Sequence, residues 1–264
     1  MSQNFVIISS SILGLGCYKH LKAQGHNISV FFTFDESDSS MSSINISSSL
    51  LDKFIHSPLI HWNKSNDHDN FENILKHASP KENTLLVIGF PRLISKKILD
   101  MGWKDCLGFH MSDLPEGKGR SPQIYTILFN TRNVCSCLFR LTSTADDGQI
   151  ISKHCVPNSS HYKLEDIFDI TFSLAHKCLE DLLNFKPYLL SKEDRLISPT
   201  TYQRRYPKDS EIYYSSSFEE VMLLVRAQRE PYPLPFISLN QSKLTLIDFT
   251  CHALDESIQI DNSE

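Results

Sequence analysis

The chain has 264 residues, of which 41% are hydrophobic, and a net charge of −5. That length suits one large domain or a domain with a small appendix. The acidic balance argues against nonspecific nucleic-acid binding, which needs a basic face. No apolar stretch approaches the roughly 20 residues required to span a bilayer.

The N-terminus, MSQNFVIISSS, has no basic region and only a short apolar run, so no signal peptide is expected. Asn4–Ser9 (NFVIIS) reads as a buried strand, SILGLGCYKHLKAQGH as a helix ended by Gly25, and Asn27–Phe34 as a second strand. Strand, helix and strand in about 30 residues make a βαβ unit and imply a parallel sheet. Gly14 and Gly16 do not complete a GxGxxG, so they read as helix-packing residues. Glu36–Leu50 is Ser-rich and reads as a flexible loop. A helix is expected at Asn70–Ala78. Thr84–Phe90 is a largely apolar run, the mark of a central strand buried on both faces, and SKKILDMG reads as a short helix. Gly108–Pro122 (GFHMSDLPEGKGRSP) is rich in Gly and Pro and reads as a loop.

Ser121–Pro122 reads as an N-cap followed by proline at the first helical position, with QIYTILFN continuing the helix. VCSCLFRL and GQIISKHCV read as two strands joined by TSTADD. Lys163–Phe185 reads as a long helix with Ile167, Ile170, Leu174, Cys178 and Leu182 on one stripe. Ser191–Tyr206 reads as a linker. Ser217 and Glu220 form a capping box before another helix. PFISL and KLTLIDF read as a β-hairpin whose edges could pair across a homodimer. The expected fold is α/β: a Rossmann-like, mostly parallel sheet with flanking helices over 1–190, then a small C-terminal α+β appendix over 191–264.

The seven cysteines are odd in number and lack CxxC. Cys135 and Cys137 share one strand face, and all seven read as reduced thiols of a cytoplasmic protein. His56, His61, His68 and His77 lack an HExxH pattern, so no metal site is expected.

His110 falls at the expected carboxyl edge of a parallel sheet, where ligands bind in open α/β folds. Asp146 and Asp147 precede Gly148 downstream. A carboxylate beside an imidazole fixes its tautomer and favours its protonated form, which suits proton transfer. The residues alone equally allow His110 to cap a helix or satisfy a backbone carbonyl.

These stretches resemble the folate-dependent formyltransferase family. Its signature is Asn-x-His-x-Ser-x-Leu-Pro, then x-x-Arg-Gly-x-x-Pro, then Leu-Asp-x-Gly-x-Ile. Here His110, Ser112, Leu114, Pro115, Gly119 and Pro122 fall in register, and Lys118 replaces the usual arginine. ADDGQI places Asp146 at the family's catalytic aspartate. LLVIGFPRLISKKIL looks like the family's strand and pterin-binding loop. YQRRYPKDSEI and EEVMLLVRAQREPYPLPF resemble the connector after the catalytic core. FHMSDLP looks most like the sugar formyltransferases of surface-glycan pathways, including lipopolysaccharide O-antigen. SSSILGLG does not match the phosphate loop of glycinamide ribonucleotide enzymes. The hairpin after Tyr232 is too short for the barrel that methionyl-tRNA enzymes add.

The resemblance implies formyl transfer from 10-formyltetrahydrofolate, a co-substrate, to the primary amine of a nucleotide-linked amino sugar, without a metal. A methionyl-tRNA-type enzyme, or a weak or inactive folate-binding protein of the same fold, are the alternatives. His110 would stand beside the formyl oxygen with Asp146 as its partner. The pterin would lie against Phe90, Arg92, Leu93, Ile94, Thr142, Ala145 and Asp146. Ser112, Asp113, Lys118, Gly119 and Arg120 would face the substrate. Arg204 and Arg205 are further candidates for a diphosphate, and Phe90, Tyr125 and Tyr202 for an aromatic platform. Gly108 departs from the family's asparagine, whose amide donates to the oxyanion. Losing one such donor typically costs about 10²–10³ in rate, and Ser112 and Asp113 are the nearest replacements in sequence.

Overall fold

Phe5 and Ile7 pack into one core while Val6 and Ile8 pack into another, which is why NFVIIS is apolar without alternation. The computed structural model describes residues 2–34, 48–62, 72–73, 75–90, 92–189, 200–230, 232–239 and 242–247. Its centre is a seven-stranded sheet built from β1 (Asn4–Ser9), β2 (Asn27–Phe34), β3 (Leu59–Trp62), β4 (Thr84–Ile88), β5 (Asp105–His110), β7 (Asn133–Arg140) and β8 (Ile150–Pro157). The spatial order is β3-β2-β1-β4-β5-β7-β8. Strands β1 to β5 pair in parallel, and β7 and β8 continue the sheet antiparallel. A short parallel pair, β6 (Lys118–Gly119) with β9 (Thr201–Tyr202), stands apart.

Helices cover both faces. On one side α1 (Ile12–Ala23) and the long α5 (Leu164–Leu183) place Leu13, Cys17, Leu21, Ala175 and Leu179 against Phe5, Ile7 and Leu86. On the other, Ile94, Ile98 and Trp103, around the short α3 (Lys96–Leu99), meet Val6, Ile8 and Leu85. The fold class is the expected one. The chain leaves β1 toward β2 and returns on the far side at β4. Loops after β1 and β4 therefore diverge and open a crevice at the carboxyl edge, the usual ligand position in such sheets.

After the sheet, α4 (Pro122–Leu128), α5 and α6 (Phe218–Ala227) share a third core of Ile124, Ile127, Leu164, Ile167 and Ala227. The Ser217–Glu220 capping box forms as expected, each side chain bonding the other residue's backbone N–H. The hairpin is present as β10 (Phe236–Leu239) and β11 (Ser242–Thr245). The expected Ser-rich loop lies mostly outside the described residues, and α2 (Ser48–Phe54) begins at its end. The helix expected at Asn70–Ala78 and the linker expected at Ser191–Tyr206 also lie partly outside them.

Three expectations are corrected. Gly108–His110 is not loop: it completes β5, with Gly108 opposite Val87 on β4 and Phe139 on β7. Two sheet ladders outweigh the weak strand propensity of one glycine. Ser121 sits at the N-cap position of α4 but is left-handed (φ 53°) and makes no side-chain cap. Nor are all seven cysteines reduced. Cys135 and Cys155 are direct partners across β7 and β8, with Cα atoms 4.2 Å apart, and form a disulfide. Register between strands twenty residues apart cannot be read from local spacing. Cys17, Cys106, Cys137 and Cys178 are free thiols, and burial pushes Cys17 and Cys106 up to about 12. Cys251 lies outside the described residues. No described helix is long and apolar enough to cross a membrane.

Thiol titration of the denatured, unreduced protein should find two fewer thiols than after reduction. Equal counts would show that Cys135 and Cys155 are not bonded in the purified protein.

Candidate active site

A cavity of about 920 Å³ opens at the carboxyl edge of the sheet, within the range of small-molecule sites. Ser11 and Leu13 reach it after β1, Gly89 to Ile94 after β4, and Phe109 to Met111 at the end of β5. The opposite wall carries Arg204, Arg205 and Tyr206.

His110 is 7% exposed. Its Nε2 lies 2.8 Å from the Gly117 carbonyl oxygen. A carbonyl can only accept, so Nε2 carries the proton and Nδ1 is left for chemistry. Nδ1 stands 3.5 Å from Asp146 Oδ1. The other Asp146 oxygen, Oδ2, accepts the Gly119 backbone N–H at 2.9 Å. The imidazole thus has both roles the sequence left open: one nitrogen satisfies a backbone carbonyl and the other faces a carboxylate.

Two loops deliver this pair. Asp146 is left-handed (φ 50°), a conformation aspartate tolerates better than most residues. The Thr142 hydroxyl donates to the Thr144 carbonyl and accepts its N–H, which folds the approach to Asp146. Past it, Gly148 comes so close to the Arg140 carbonyl that a Cβ would lie 1.5 Å from that oxygen. In the loop after β5, Ser112 donates to the Glu116 carbonyl at 2.7 Å and Cys137 Sγ donates to the Ser112 carbonyl. Asp113 accepts from Lys153 Nζ at 2.5 Å and from Asn133 Nδ2. Lys153 is itself nearly buried, at 7% side-chain exposure.

Around the cavity, Tyr232 is a phenol pushed up to about 12 by burial, against a Ser121 hydrogen bond that pulls it down. It remains a neutral hydroxyl at neutral pH. Leu93 is 63% exposed although apolar and lines the same opening, as an apolar ligand surface would require.

No family model matches the sequence. Methionyl-tRNA formyltransferase of Rickettsia felis is 24% identical over 169 residues, covering 62% of this chain and 54% of that protein. The chain spans about half the length of the curated relatives it matches. A sugar N-formyltransferase from a Shewanella species superposes with a TM-score of 0.68 at 12% identity, covering 96% of this chain and 99% of that one. WlaRD, a sugar 3N-formyltransferase whose structure was determined in the presence of dTDP and 5-N-formyl-THF, superposes at 0.63 with 17% identity, covering 94% of this chain and 85% of that one. The chain has the formyltransferase fold.

On that fold the expected residues divide. His110, Asp146, Phe90, Arg92, Leu93, Ile94, Thr142, Ala145, Gly119 and Arg120 all line the large cavity. Ser112 and Asp113, expected to face substrate, line a separate pocket of about 20 Å³ behind the loop, because their polar atoms hold the loop itself. Lys118 is ion-paired with Asp147 instead. Of the expected aromatic platform, Phe90 lines the cavity. Tyr125 and Tyr202 stack on each other, with ring centres 4.5 Å apart, and burial, followed by Glu116 and Asp113, pushes Tyr202 up to about 12. Tyr206, Gln123 and Tyr232 line the cavity and were missed. Tyr206 could have been found beside Arg204 and Arg205 in YQRRYP; the other two carry no local signal.

Among the described residues, one group of three possible metal ligands lies close together, Asp113 with Cys135 and Cys155. Its two sulfurs bond each other.

Lys153→Met should lower unfolding stability by about 3 kcal/mol, because it strands the Asp113 carboxylate in a largely buried site. Adding Asp113→Leu should recover part of that loss in chemical denaturation. Unchanged stability of Lys153→Met would show that the pair does not hold the loop.

Proposed function

We propose that this chain transfers a formyl group from 10-formyltetrahydrofolate to the primary amine of a nucleotide-linked amino sugar. The observation that carries the reading is one cavity that gathers the His110–Asp146 pair, the two loops that the resemblance gives to the pterin, and Arg120, Arg204 and Arg205. The apolar face of Leu93 and Ile94 and the adjoining backbone suit a flat, polar-edged pterin. The arginines suit a diphosphate. Structural neighbours that act on sugars, one of them determined with dTDP and a formyl-folate, support the same class.

The amine attacks the formyl carbon, a C–N bond forms, and the carbonyl electron pair moves to oxygen. The old bond to the donor nitrogen then breaks, that nitrogen gains a proton, and the attacking amine loses one. His110 Nδ1 is the group positioned to hold or hand over a proton at this centre. Asp146 stabilises the imidazole when it is charged, and Gly117 holds the ring in place through Nε2. The donor supplies the formyl group and nothing else is required of a metal. Such a chain would work in the cytoplasm, where reduced folates and nucleotide sugars occur, in the assembly of a surface glycan.

A methionyl-tRNA substrate is the second reading, favoured by the sequence match to methionyl-tRNA formyltransferase and opposed by the net charge of −5. Incubation with 10-formyltetrahydrofolate and either a panel of dTDP- and UDP-linked amino sugars or methionyl-tRNA separates the two by the product formed.

A reduced folate should bind, measured by calorimetric titration with 5-formyltetrahydrofolate; no heat at millimolar concentration would overturn the proposal. His110→Ala and Asp146→Asn should each lower kcat by about 10² or more, with folate affinity changing far less. The double variant should be little worse than either single one, since the two act as a unit. Near-normal turnover in His110→Ala would make the pair structural.

A further inference from the structure

An amine attacking a formyl group places negative charge on the formyl oxygen, and that charge needs hydrogen-bond donors fixed in advance. His110 brings one nitrogen only, because Nε2 is bound to the Gly117 carbonyl. The neighbouring strand position offers nothing: Gly108 has no side chain, and a Cβ built there would lie 2.7 Å from Leu141 Cδ2. This wall of the cavity is apolar.

Several other polar groups on the cavity are engaged. Ser11 Oγ accepts the Gly14 N–H at the start of α1. Thr142 folds its own loop. The Gln228 amide, turned so that both ends are satisfied, accepts from Arg205 and donates to the Pro233 carbonyl. Gln123 differs. It follows Pro122 at the start of α4, lines the cavity with His110 and Asp146, and is 7% exposed. Among the described residues its side-chain amide has no hydrogen-bond partner. Its amide atoms are not sealed within protein but reach accessible space on the cavity, where a ligand can take up their hydrogen bonds.

We propose that Gln123 is a catalytic residue whose amide N–H donates to the formyl oxygen as its charge develops. This rests on the formyl-transfer reading above. His110 and Gln123 reach the cavity from opposite ends of one loop. The bonds from Gly117 to His110 and from Gly119 to Asp146 brace that loop between them. A carboxamide does not titrate, so it donates at any working pH while His110 exchanges its proton. Gln123 forms and breaks no covalent bond.

The test uses the full chain, 10-formyltetrahydrofolate and the panel of dTDP- and UDP-linked amino sugars. Gln123→Leu should lower kcat by about 10²–10³, while the Kd for 5-formyltetrahydrofolate changes by less than about threefold. Gln123→Glu keeps the shape and loses the donor when ionised. It should be slow at pH 8 and recover as its carboxyl gains a proton, a profile that the wild type lacks. Folate binding by each variant verifies that it is folded. An active wild type whose Gln123→Leu variant keeps kcat within about threefold overturns this assignment alone, as does a Gln123→Glu variant with the wild-type pH profile. A wild type that formylates no acceptor overturns the function reading and, with it, the role of Gln123.

Discussion

The Gly119 backbone N–H, donating to Asp146 Oδ2 at 2.9 Å, is the joint on which the candidate site depends. It ties the loop after β5 to the loop between β7 and β8, and neither loop positions its functional group alone. The residue must be glycine: φ is 104°, and a Cβ would stand 2.5 Å from the Tyr202 carbonyl oxygen. The same approach lets β6 pair with β9, so the segment after residue 200 joins the wall of the cavity. Two residues earlier the Gly117 carbonyl takes the proton-bearing nitrogen of His110. Backbone groups, not side chains, therefore set the spacing of the imidazole and the carboxylate. A Gly-rich loop fits this task because its polar atoms can come close where a side chain would stand in the way.

The side chains of that loop serve it from behind. Ser112 bonds the Glu116 carbonyl, and Asp113 is held by Lys153 and Asn133. An ionised Asp113 paired in this way has no proton to donate and does not line the large cavity. Neither residue is placed to stand in for the asparagine that the resemblance would put at Gly108. The space at Gly108 is taken by Leu141, so restoring a carboxamide there requires Leu141 to move. Where the proposed reaction calls for a further donor, α4 is the wall whose first turn presents the Gln123 amide to the cavity.

Local pattern was enough for much of the fold. NFVIIS, NISVFFTF and the Ser217–Glu220 box form the elements they suggest, because burial on both faces and capping are properties of a few adjacent residues. HMSDLP and ADDGQI carried His110 and Asp146 into one cavity. What sequence did not reveal was long-range. Gly108–His110 is a strand because β4 and β7 hold it on both sides. Cys135 meets Cys155 through strand register. Ser112, Asp113 and Lys118 belong to the right motif yet turn to Glu116, Lys153 and Asp147. A motif gives the backbone course, and only the packed fold decides which side of it each side chain takes.

The charge of the cavity runs against that of the chain. The whole sequence carries −5, whereas Arg92, Arg120, Arg204 and Arg205 line the cavity with Asp146 as the one carboxylate among its described lining residues. Low-dielectric walls concentrate such a field and draw anions in. A folate ends in carboxylates and a nucleotide sugar carries a diphosphate, so two anionic ligands would share one opening. Their mutual repulsion has to be offset where they meet. Arginine suits the task because it stays charged at any working pH and binds flat, oxygen-rich anions in a fixed geometry. In the proposed reaction these arginines would also favour the negative charge that develops on the formyl oxygen. The single carboxylate among the described lining residues is fastened to a backbone N–H and faces an imidazole.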